Sequence, residues 1–280
     1  DAPNPFGYSG EYHDSETGLI YLRNRYYDSS TGRFITEDPA KDGVNWYSYC
    51  AGDPVNMVDP WGLGMMLSGT DEEIAFMTMS LNILTDDYIN VDNNGNVTMK
   101  EGYENSRFKA GTEMVAYIVN NQDEDVMISM GESDEVIVNE SPGENEAKYN
   151  ITLTGETVNV LAWSYETNSI EVMTEPDFIV MGHELVHVYN YMNGADSHSL
   201  ARPTYYYYYD ENGEWNIERD ISIGELETTG IDYAIGSNTI PLDEWNTSPN
   251  VIRASQNRIS ENALRREHFL GDRVKFLRMD

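Results

Sequence analysis

The sequence contains a single cysteine, Cys50, among its 280 residues. An intrachain disulfide is therefore excluded, and so is a metal site made of several thiolates. Nothing near Cys50 resembles a Cys–His pair, so we expect a small buried hydrophobic residue and not a nucleophile. A lone cysteine is typical of a protein that folds in a reducing compartment.

Long hydrophobic runs are also missing. No apolar stretch approaches the roughly 18 residues that a membrane helix needs, so no membrane span is predicted. The chain begins Asp-Ala-Pro, without a starting methionine, a basic n-region or an apolar h-region. We therefore expect no signal peptide, and we expect the sequence to be a piece of a longer protein.

Basic residues are scarce: 17 Lys and Arg stand against 49 Asp and Glu, which gives a formal net charge of -32. A field of that sign repels phosphate backbones, which argues against nucleic acid as a partner. The same field suits a cationic partner or substrate. The alternative is that the acidity serves solubility alone.

The composition changes near residue 63. Residues 1–63 are rich in Tyr, Gly, Asp and Pro, and "GLIYLRNRYYDSSTGRFITEDP" predicts a β-hairpin with a glycine-bearing turn. In 64–280, helical spacing and short strands lead to "EPDFIVMGHELVHVYNYMNG", which predicts an amphipathic helix. A Tyr-rich loop at 202–215, a helix around "GELETTGIDY" and a final helix from about Pro249 through "RISENALRREHFL" are expected to follow. The tyrosines at 205–209 are expected to be a packed or hairpin-forming aromatic run, and the alternative is that they line a substrate cleft. The pattern predicts an α+β fold with domains at 1–63 and 64–280.

The helix ending in "MNG" carries two histidines four residues apart, His183 and His187, with Glu184 directly after the first. Residues i and i+4 lie on one face of a helix, so both imidazoles can reach one ion. With a third ligand, a zinc ion keeps one position for a water whose pKa falls to about 7. Glu184 then acts as general base when that water attacks an amide carbonyl. The alternative is a pair of helical histidines that bind no metal.

The spacing of the histidines does not identify the third zinc ligand. The extension that would add a third histidine requires Gly at 190 and His at 193, and the sequence has Asn190 and Asn193. A downstream glutamate on a second helix is the usual other solution. We favour Glu225 of "GELETTGIDY". The alternatives are Glu227, Asp232 and His198.

Three blocks in this order, "HELVHVYNYMNG", "GELETTG" and "SENALRREHFLGDR", resemble the zinc metallopeptidases among bacterial type III secretion effectors and related polymorphic toxins. The resemblance covers roughly residues 75–280. It implies a zincin-like fold, His183 and His187 as zinc ligands and Glu184 as catalytic base. The glutamate that opens the family's E-x-x-T-x-G pattern falls on Glu225. Members of the family act on proteins.

Residues 5–63 resemble the C-terminal end of the RHS-repeat core, a β shell that encloses a variable toxin. The shell's closing pattern P-x-x-x-x-D-P-x-G-L is matched at Pro54, Asp59, Pro60, Gly62 and Leu63. The resemblance implies self-cleavage between Leu63 and Gly64 by an aspartyl mechanism. It assigns Asp38 and Asp59 as the carboxylate pair and Arg25 as their support. The alternative for each is structural, since Asp-Pro opens turns and a strand arginine pairs with many carboxylates.

The sequence thus predicts a zinc endopeptidase toxin at 64–280, tethered to a remnant of an RHS shell. It is expected to be secreted or delivered into a target cell, to cleave a protein there, and to have a cognate immunity protein. One alternative is a zinc hydrolase of non-peptide amides or esters. Another is a non-catalytic structural or binding module, which the single cysteine and the glutamate beside a ligand histidine disfavour.

Overall fold

The computed structural model describes residues 12–22, 25–36, 47, 64–121, 124–139, 142, 147–194, 204–212, 214–236 and 238–274. The predictions made for Asp38, Cys50, Asp59, Leu63 and His198 lie outside these residues. Helices and strands are mixed, as the sequence predicted. No helix in the described ranges combines the length and apolar character needed to cross a membrane.

The N-terminal segment forms a small antiparallel sheet in the order β1-β2-β3-β4. The predicted hairpin is confirmed: Asp28 pairs with Arg33 across a turn in which Gly32 has a φ of +69°. Ile20, Tyr27 and Phe34 form its small core. The strands are β1 (Tyr12–His13), β2 (Ile20–Leu22), β3 (Arg25–Asp28) and β4 (Arg33–Phe34).

The largest hydrophobic core lies between a four-stranded sheet and three helices, α1 to α3. In this sheet, of order β5-β8-β10-β9, β9 is an edge strand antiparallel to β10, and the other neighbours are parallel. A hairpin, β6–β7, turns at Asn94-Gly95. The elements are β5 (Met65–Ser68), α1 (Asp71–Leu84), β6 (Ile89–Val91), β7 (Val97–Met99), α2 (Lys109–Asn120), β8 (Val126–Met130), β9 (Glu135–Val138), β10 (Tyr149–Leu153) and α3 (Asp177–Met192).

A two-stranded antiparallel sheet precedes α3, and a further four-stranded sheet of order β14-β13-β15-β16 follows it. Short helices connect and flank the later strands. These elements are β11 (Val158–Ser164), β12 (Ser169–Glu175), β13 (Thr204–Tyr209), β14 (Trp215–Arg219), α4 (Ile223–Thr229), β15 (Tyr233–Ile235), α5 (Leu242–Trp245), β16 (Val251–Ile252) and α6 (Glu261–Glu267).

The predicted Tyr-rich loop is wrong at Thr204–Tyr209, which is strand β13. The packed, hairpin-forming aromatic run expected for residues 205–209 is confirmed, because β13 forms an antiparallel hairpin with β14. Its side chains alternate between two apolar clusters: Tyr205 and Tyr207 pack with Trp245, and Tyr206 and Tyr208 with Leu226. Alternation with period two is what a strand buried on both faces requires. The run of tyrosines is therefore the centre of a sheet.

The predicted final helix is also wrong in its extent. Only Glu261–Glu267 is α-helical, and the stretch before it contains β16 and a turn of 3₁₀ helix at Ala254–Gln256. Ser260 caps α6 by accepting a hydrogen bond from the backbone N–H of Ala263 at 3.2 Å. A serine N-cap starts a new helix at that point, so the periodic pattern upstream does not continue into it.

Candidate metal centre

Helix α3 carries the H-E-x-x-H motif on its buried side. The helix starts after Pro176 and ends at Asn193, with Gly194 in the left-handed region at φ +78°, as the sequence predicted. His183, Glu184 and His187 are all buried. The four-residue spacing places both imidazoles over one point of the cleft, with their Nε2 atoms 3.2 Å apart.

Glu225 meets the two histidines from α4. Its Oε2 atom lies 3.3 Å from Nε2 of His183 and 3.2 Å from Nε2 of His187. Helix α4 stops at Gly230, whose φ of +81° is a left-handed C-cap. A side chain at Gly230 would collide with Ser260, because an added Cβ would lie 2.7 Å from Ser260 Oγ. The glycine therefore lets α4 end against the start of α6.

These three atoms form a triangle that fits a divalent metal. Ligand atoms at about 2.0 to 2.1 Å from a tetrahedral zinc ion lie about 3.3 to 3.4 Å from one another. The observed edges are 3.2, 3.2 and 3.3 Å. Two imidazole nitrogens and a carboxylate oxygen are also a donor set that zinc prefers. Among the described residues, His183, His187 and Glu225 are the one group of three or more His, Cys, Asp or Glu side chains whose ligand atoms all lie within 4.8 Å of one another.

The alternative third ligands have other partners. Glu227 accepts a hydrogen bond from the Tyr233 hydroxyl at 2.8 Å. Asp232 accepts one from Arg253 at 3.0 Å and one from the backbone N–H of Ser255 at 2.9 Å. Neither belongs to the group that surrounds the two histidines. His198 lies outside the described residues.

Each histidine is held from behind through its other ring nitrogen. Nδ1 of His183 lies 2.8 Å from Oε2 of Glu261, and Nδ1 of His187 lies 3.2 Å from the Thr228 hydroxyl. A carboxylate accepts only, so Nδ1 of His183 carries a proton and, in the neutral ring, Nε2 offers a lone pair toward Glu225. Asn190 donates to the Thr228 hydroxyl at 3.3 Å.

The sequence interpretation did not include Thr228 or Glu261. A signal was present for Thr228, because it follows Glu225 by three residues and therefore lies on the same face of α4. For Glu261 the sequence held no comparable signal, since it lies 78 residues from His183.

The site lies in a cleft of about 520 Å³. Its apolar and aromatic lining residues are Val136, Val158, Ile179, Val180 and Tyr191. Tyr191 stacks on His187, with ring centroids 6.1 Å apart. The charged side chains that line the cleft are Asp134, Glu135, Glu175, Glu184, Glu225, Glu261 and Arg273.

Carboxylates predominate in the inner part of the cleft, where Glu175, Glu184, Glu225 and Glu261 line it beside one arginine, Arg273. Two of these carboxylates form ion pairs with buried arginines, Glu175 with Arg265 and Glu261 with Arg273. A divalent cation between the histidines would add positive charge among these carboxylates, which supports the fit of the donor set.

The metal-free site is expected to hold a proton in place of a cation. Burial alone would lower the pKa of His183, but hydrogen bonds to Glu225 and Glu261 outweigh burial and raise this pKa to about 10. Burial would raise the pKa of Glu225, and its hydrogen bonds to His183 and His187 reverse the effect and lower it. In the metal-free fold, the stabilisation from the His183 proton is complete below pH 6.5 and is lost as the pH rises through about 10.

Metal binding is therefore expected to depend on pH. Because a ligand imidazole must lose its proton, zinc affinity should rise about tenfold per pH unit between pH 6.5 and 8. Calorimetric titration in two buffers of different ionisation enthalpy measures the affinity and the number of protons released. We expect about one proton per zinc at pH 7. Affinity that is independent of pH with no proton release would contradict a protonated His183.

Two of the residues that the RHS resemblance implies for self-cleavage lie in the described part of the chain. Arg25 is buried at the start of β3, with its guanidinium 3.5 Å from the centre of the Phe34 ring. Gly64 precedes β5 and donates its backbone N–H to the Val119 carbonyl at 3.3 Å. Asp38, Asp59 and Leu63 lie outside the described residues.

The chain thus combines a mixed α and β fold with a candidate metal site of two buried histidines and a half-buried glutamate in an acidic cleft. Residues 104–276 match the Peptidase_M91 family, described as effector protein, and the chain belongs to that family. The match contains His183, Glu184, His187, Glu225 and Glu261. No solved structure matches the chain.

Curated relatives match a much shorter stretch, and several of them are named as toxins or nucleases. Double-stranded DNA deaminase toxin A of Burkholderia cenocepacia (strain H111) is 49% identical over 61 residues, 21% of this chain and 4% of the relative. Toxin protein Tse5 of Pseudomonas aeruginosa is 43% identical over 61 residues, which are 21% of this chain and 5% of the relative. tRNA nuclease WapA of Bacillus subtilis (strain 168) is 43% identical over 65 residues, which are 21% of this chain and 3% of the relative. The chain thus spans 3 to 5% of these three relatives.

Proposed function

We propose that residues 64–280 form a zincin-like, zinc-dependent endopeptidase that acts as a toxin or effector on a protein of a target cell. The observation that carries the proposal is the triangle of His183, His187 and Glu225, with Glu184 next to the first ligand in the same cleft wall. Membership of a peptidase-named effector family supports it.

His183, His187 and Glu225 would hold a zinc ion, which would supply a Lewis acid for the scissile carbonyl and for the activation of water. Glu184 would accept a proton from the attacking water and pass it to the leaving amine. Glu261 and Thr228 keep the two imidazoles oriented from behind. The chain thus provides the base and the orientation that amide hydrolysis needs.

An edge strand beside the cleft favours a peptide over a small amide or ester. Glu135 and Val136 of β9 line the cleft, and β9 is the outer strand of its sheet in the described part of the chain. Edge strands present unpaired backbone N–H and C=O groups, to which an extended peptide can add as a further strand. Val136, Val158 and Val180 would then accept its apolar side chains.

The charge of the cleft favours a substrate with basic residues near the cleaved bond. Asp134 and Glu135, at the start of β9, line the cleft. The arginine that lines the cleft, Arg273, forms an ion pair with Glu261. A cleft lined by charges of one sign concentrates substrates of the opposite sign. The chain's net charge of -32 acts in the same direction.

The proposal is tested by incubating the full chain with an unfolded proteome, that is, a mixture of denatured intact proteins. The new peptide termini are then identified by mass spectrometry. We expect cleavage that a zinc chelator abolishes, with Lys or Arg enriched near the cleaved bond. Hydrolysis of small esters or amides without any peptide cleavage would favour a non-peptide hydrolase. Stoichiometric zinc without hydrolysis of either class would favour a structural metal module.

The basic preference has its own prediction. Glu135→Lys should lower kcat/KM for a basic peptide about tenfold, and added salt should weaken the parent enzyme on the same peptide. The matched control is Glu166→Lys, in the turn of the β11–β12 hairpin about 20 Å from its cleft end. Equal effects of the two substitutions would show that net charge alone, and not the cleft, is responsible.

The comparison with the relatives suggests how the toxin part is delivered. They share about 61 to 65 residues with this chain but are named for different activities, a DNA deaminase toxin and a tRNA nuclease among them. A stretch common to proteins with different chemistries is expected to serve something other than the chemistry. We assign that role to residues 1–63 as the end of an RHS shell.

In this proposal the shell cleaves itself between Leu63 and Gly64 with Asp38, Asp59 and Arg25. The toxin part is delivered into a target cell, and a cognate immunity protein protects the producer. Neither nucleic acid nor a membrane span takes part.

A further inference from the structure

Behind the metal site lies a buried charge network that the reaction itself does not use. Glu261, the first residue of α6, is 1% exposed. Its Oε2 atom lies 2.8 Å from Nδ1 of His183 and 2.9 Å from Nη1 of Arg273. A single carboxylate oxygen thus joins a histidine to a guanidinium inside the protein. Burying a carboxylate is costly unless such partners compensate it, so the arrangement calls for a role.

Arg273 is held in place through its own backbone. The Asn262 side chain, next to Glu261, accepts from the backbone N–H of Arg273 at 2.6 Å and donates to its carbonyl at 3.1 Å. Arg273 also forms an antiparallel bridge with Ala162 of β11. Because these contacts fix its main chain, the guanidinium is directed at Glu261 by the fold and not by a flexible side chain alone.

A second ion pair connects α6 to the segment that directly precedes helix α3. Arg265 binds both carboxylate oxygens of Glu175, the last residue of β12 before Pro176, and donates from Nε to the Gly271 carbonyl at 2.6 Å. Gly182, which precedes His183, gives α6 room to approach, because an added Cβ would lie 2.6 Å from Leu264 Cδ1. Helix α6 is therefore fixed to α3 beside the histidine that Glu261 contacts.

We propose that Glu261 is the positioning residue of the ligand His183, and that Arg273 acts through Glu261 by holding its carboxylate. The inference rests on the metal site proposed above. A carboxylate behind a ligand imidazole fixes the Nδ1–H tautomer, keeps the Nε2 lone pair directed at the cation and makes that lone pair more basic. Replacing Glu261 should therefore weaken metal binding, although Glu261 is not one of the three converging ligand residues.

The experiment measures zinc affinity of the full chain by competition with a chromophoric chelator. Glu261→Gln keeps the shape of the side chain and removes its charge, and should weaken the zinc Kd about 10- to 100-fold. Arg273→Gln should weaken it in the same direction. The double variant should bind no more weakly than Glu261→Gln, because Arg273 acts only through Glu261. Arg266→Gln on the same helix, whose exposed partner is Asp272, should retain the parent Kd.

Thermal unfolding of the metal-free variants separates positioning from mere structural support. A structural role would lower the metal-free Tm while leaving the Kd of the folded protein unchanged, and that result would overturn the inference. If Glu261→Gln does not fold, Arg273→Gln carries the test, because it leaves Glu261 in place. Parent affinity in both variants would overturn this inference alone. No zinc binding by the parent chain would overturn the proposed function and this inference together.

Discussion

Replacing Glu184 with glutamine is expected to reduce peptide hydrolysis by about 10²- to 10⁴-fold while the chain still binds one zinc per molecule. Glutamine has nearly the volume of glutamate, so the buried wall of the cleft should retain its packing. It cannot accept a proton from water at neutral pH. Glu184 is not among the three converging ligand atoms, so metal affinity should change little.

The measurement pairs initial rates on a cleaved peptide with elemental analysis of the same preparation. Glu166→Gln, an exposed residue in the β11–β12 turn, serves as the matched control and should be indistinguishable from the parent. A Glu184→Gln enzyme with more than a tenth of the parent rate would remove Glu184 from the role of general base. Loss of zinc together with activity would instead indicate that Glu184 supports the metal site.

Helix α3 and its motif could be predicted from the sequence because their signals are local. The N-terminal proline, the Asn193-Gly194 end and the four-residue histidine spacing all lie within one helix. The short strands from β8 to β12 were predicted for the same reason, since their pattern is visible within four to seven residues. Interactions between residues close in sequence were sufficient to predict these elements.

The packing partners of the Tyr-rich strand could not be predicted because they are distant in the sequence. Tyr205 is buried against Trp245, and Tyr206 against Leu226, contacts made across other elements. A run of five identical aromatic residues shows no alternation in sequence, although β13 alternates between two clusters in space. Only the partners on each face reveal the period of two.

The third ligand needed the tertiary structure for a related reason. Glu225 and Glu227 lie two positions apart on α4 and so point to different sides of a helix with 3.6 residues per turn. The sequence shows the spacing but not which side faces α3. In the structure Glu225 faces the histidines, and Glu227 meets the Tyr233 hydroxyl. Glu261 was missed because its contact with His183 is created entirely by the packing of α6 on α3.

Alanine substitution of each converging side chain is expected to abolish stoichiometric zinc binding. His183→Ala, His187→Ala and Glu225→Ala each remove one of three protein donors, and affinity should fall well beyond the 10- to 100-fold typical of residues behind the ligands. Zinc content of the purified full chain, parent and variants, measures this directly. Because a ligand that binds only the folded chain stabilises it, the parent should also gain thermal stability on zinc binding.

Glu227→Ala is the matched control, since it lies on the same helix and loses only a hydrogen bond from Tyr233. It should retain about one zinc per chain, the parent value for a three-ligand site with one open position. If Glu225→Ala retains zinc and the histidine variants do not, the third ligand must be Glu227, Asp232 or His198. If the parent binds no zinc even after reconstitution, the converging acceptors are held together by the His183 proton alone. The peptidase proposal then fails, because Glu184 has no activated water from which to take a proton.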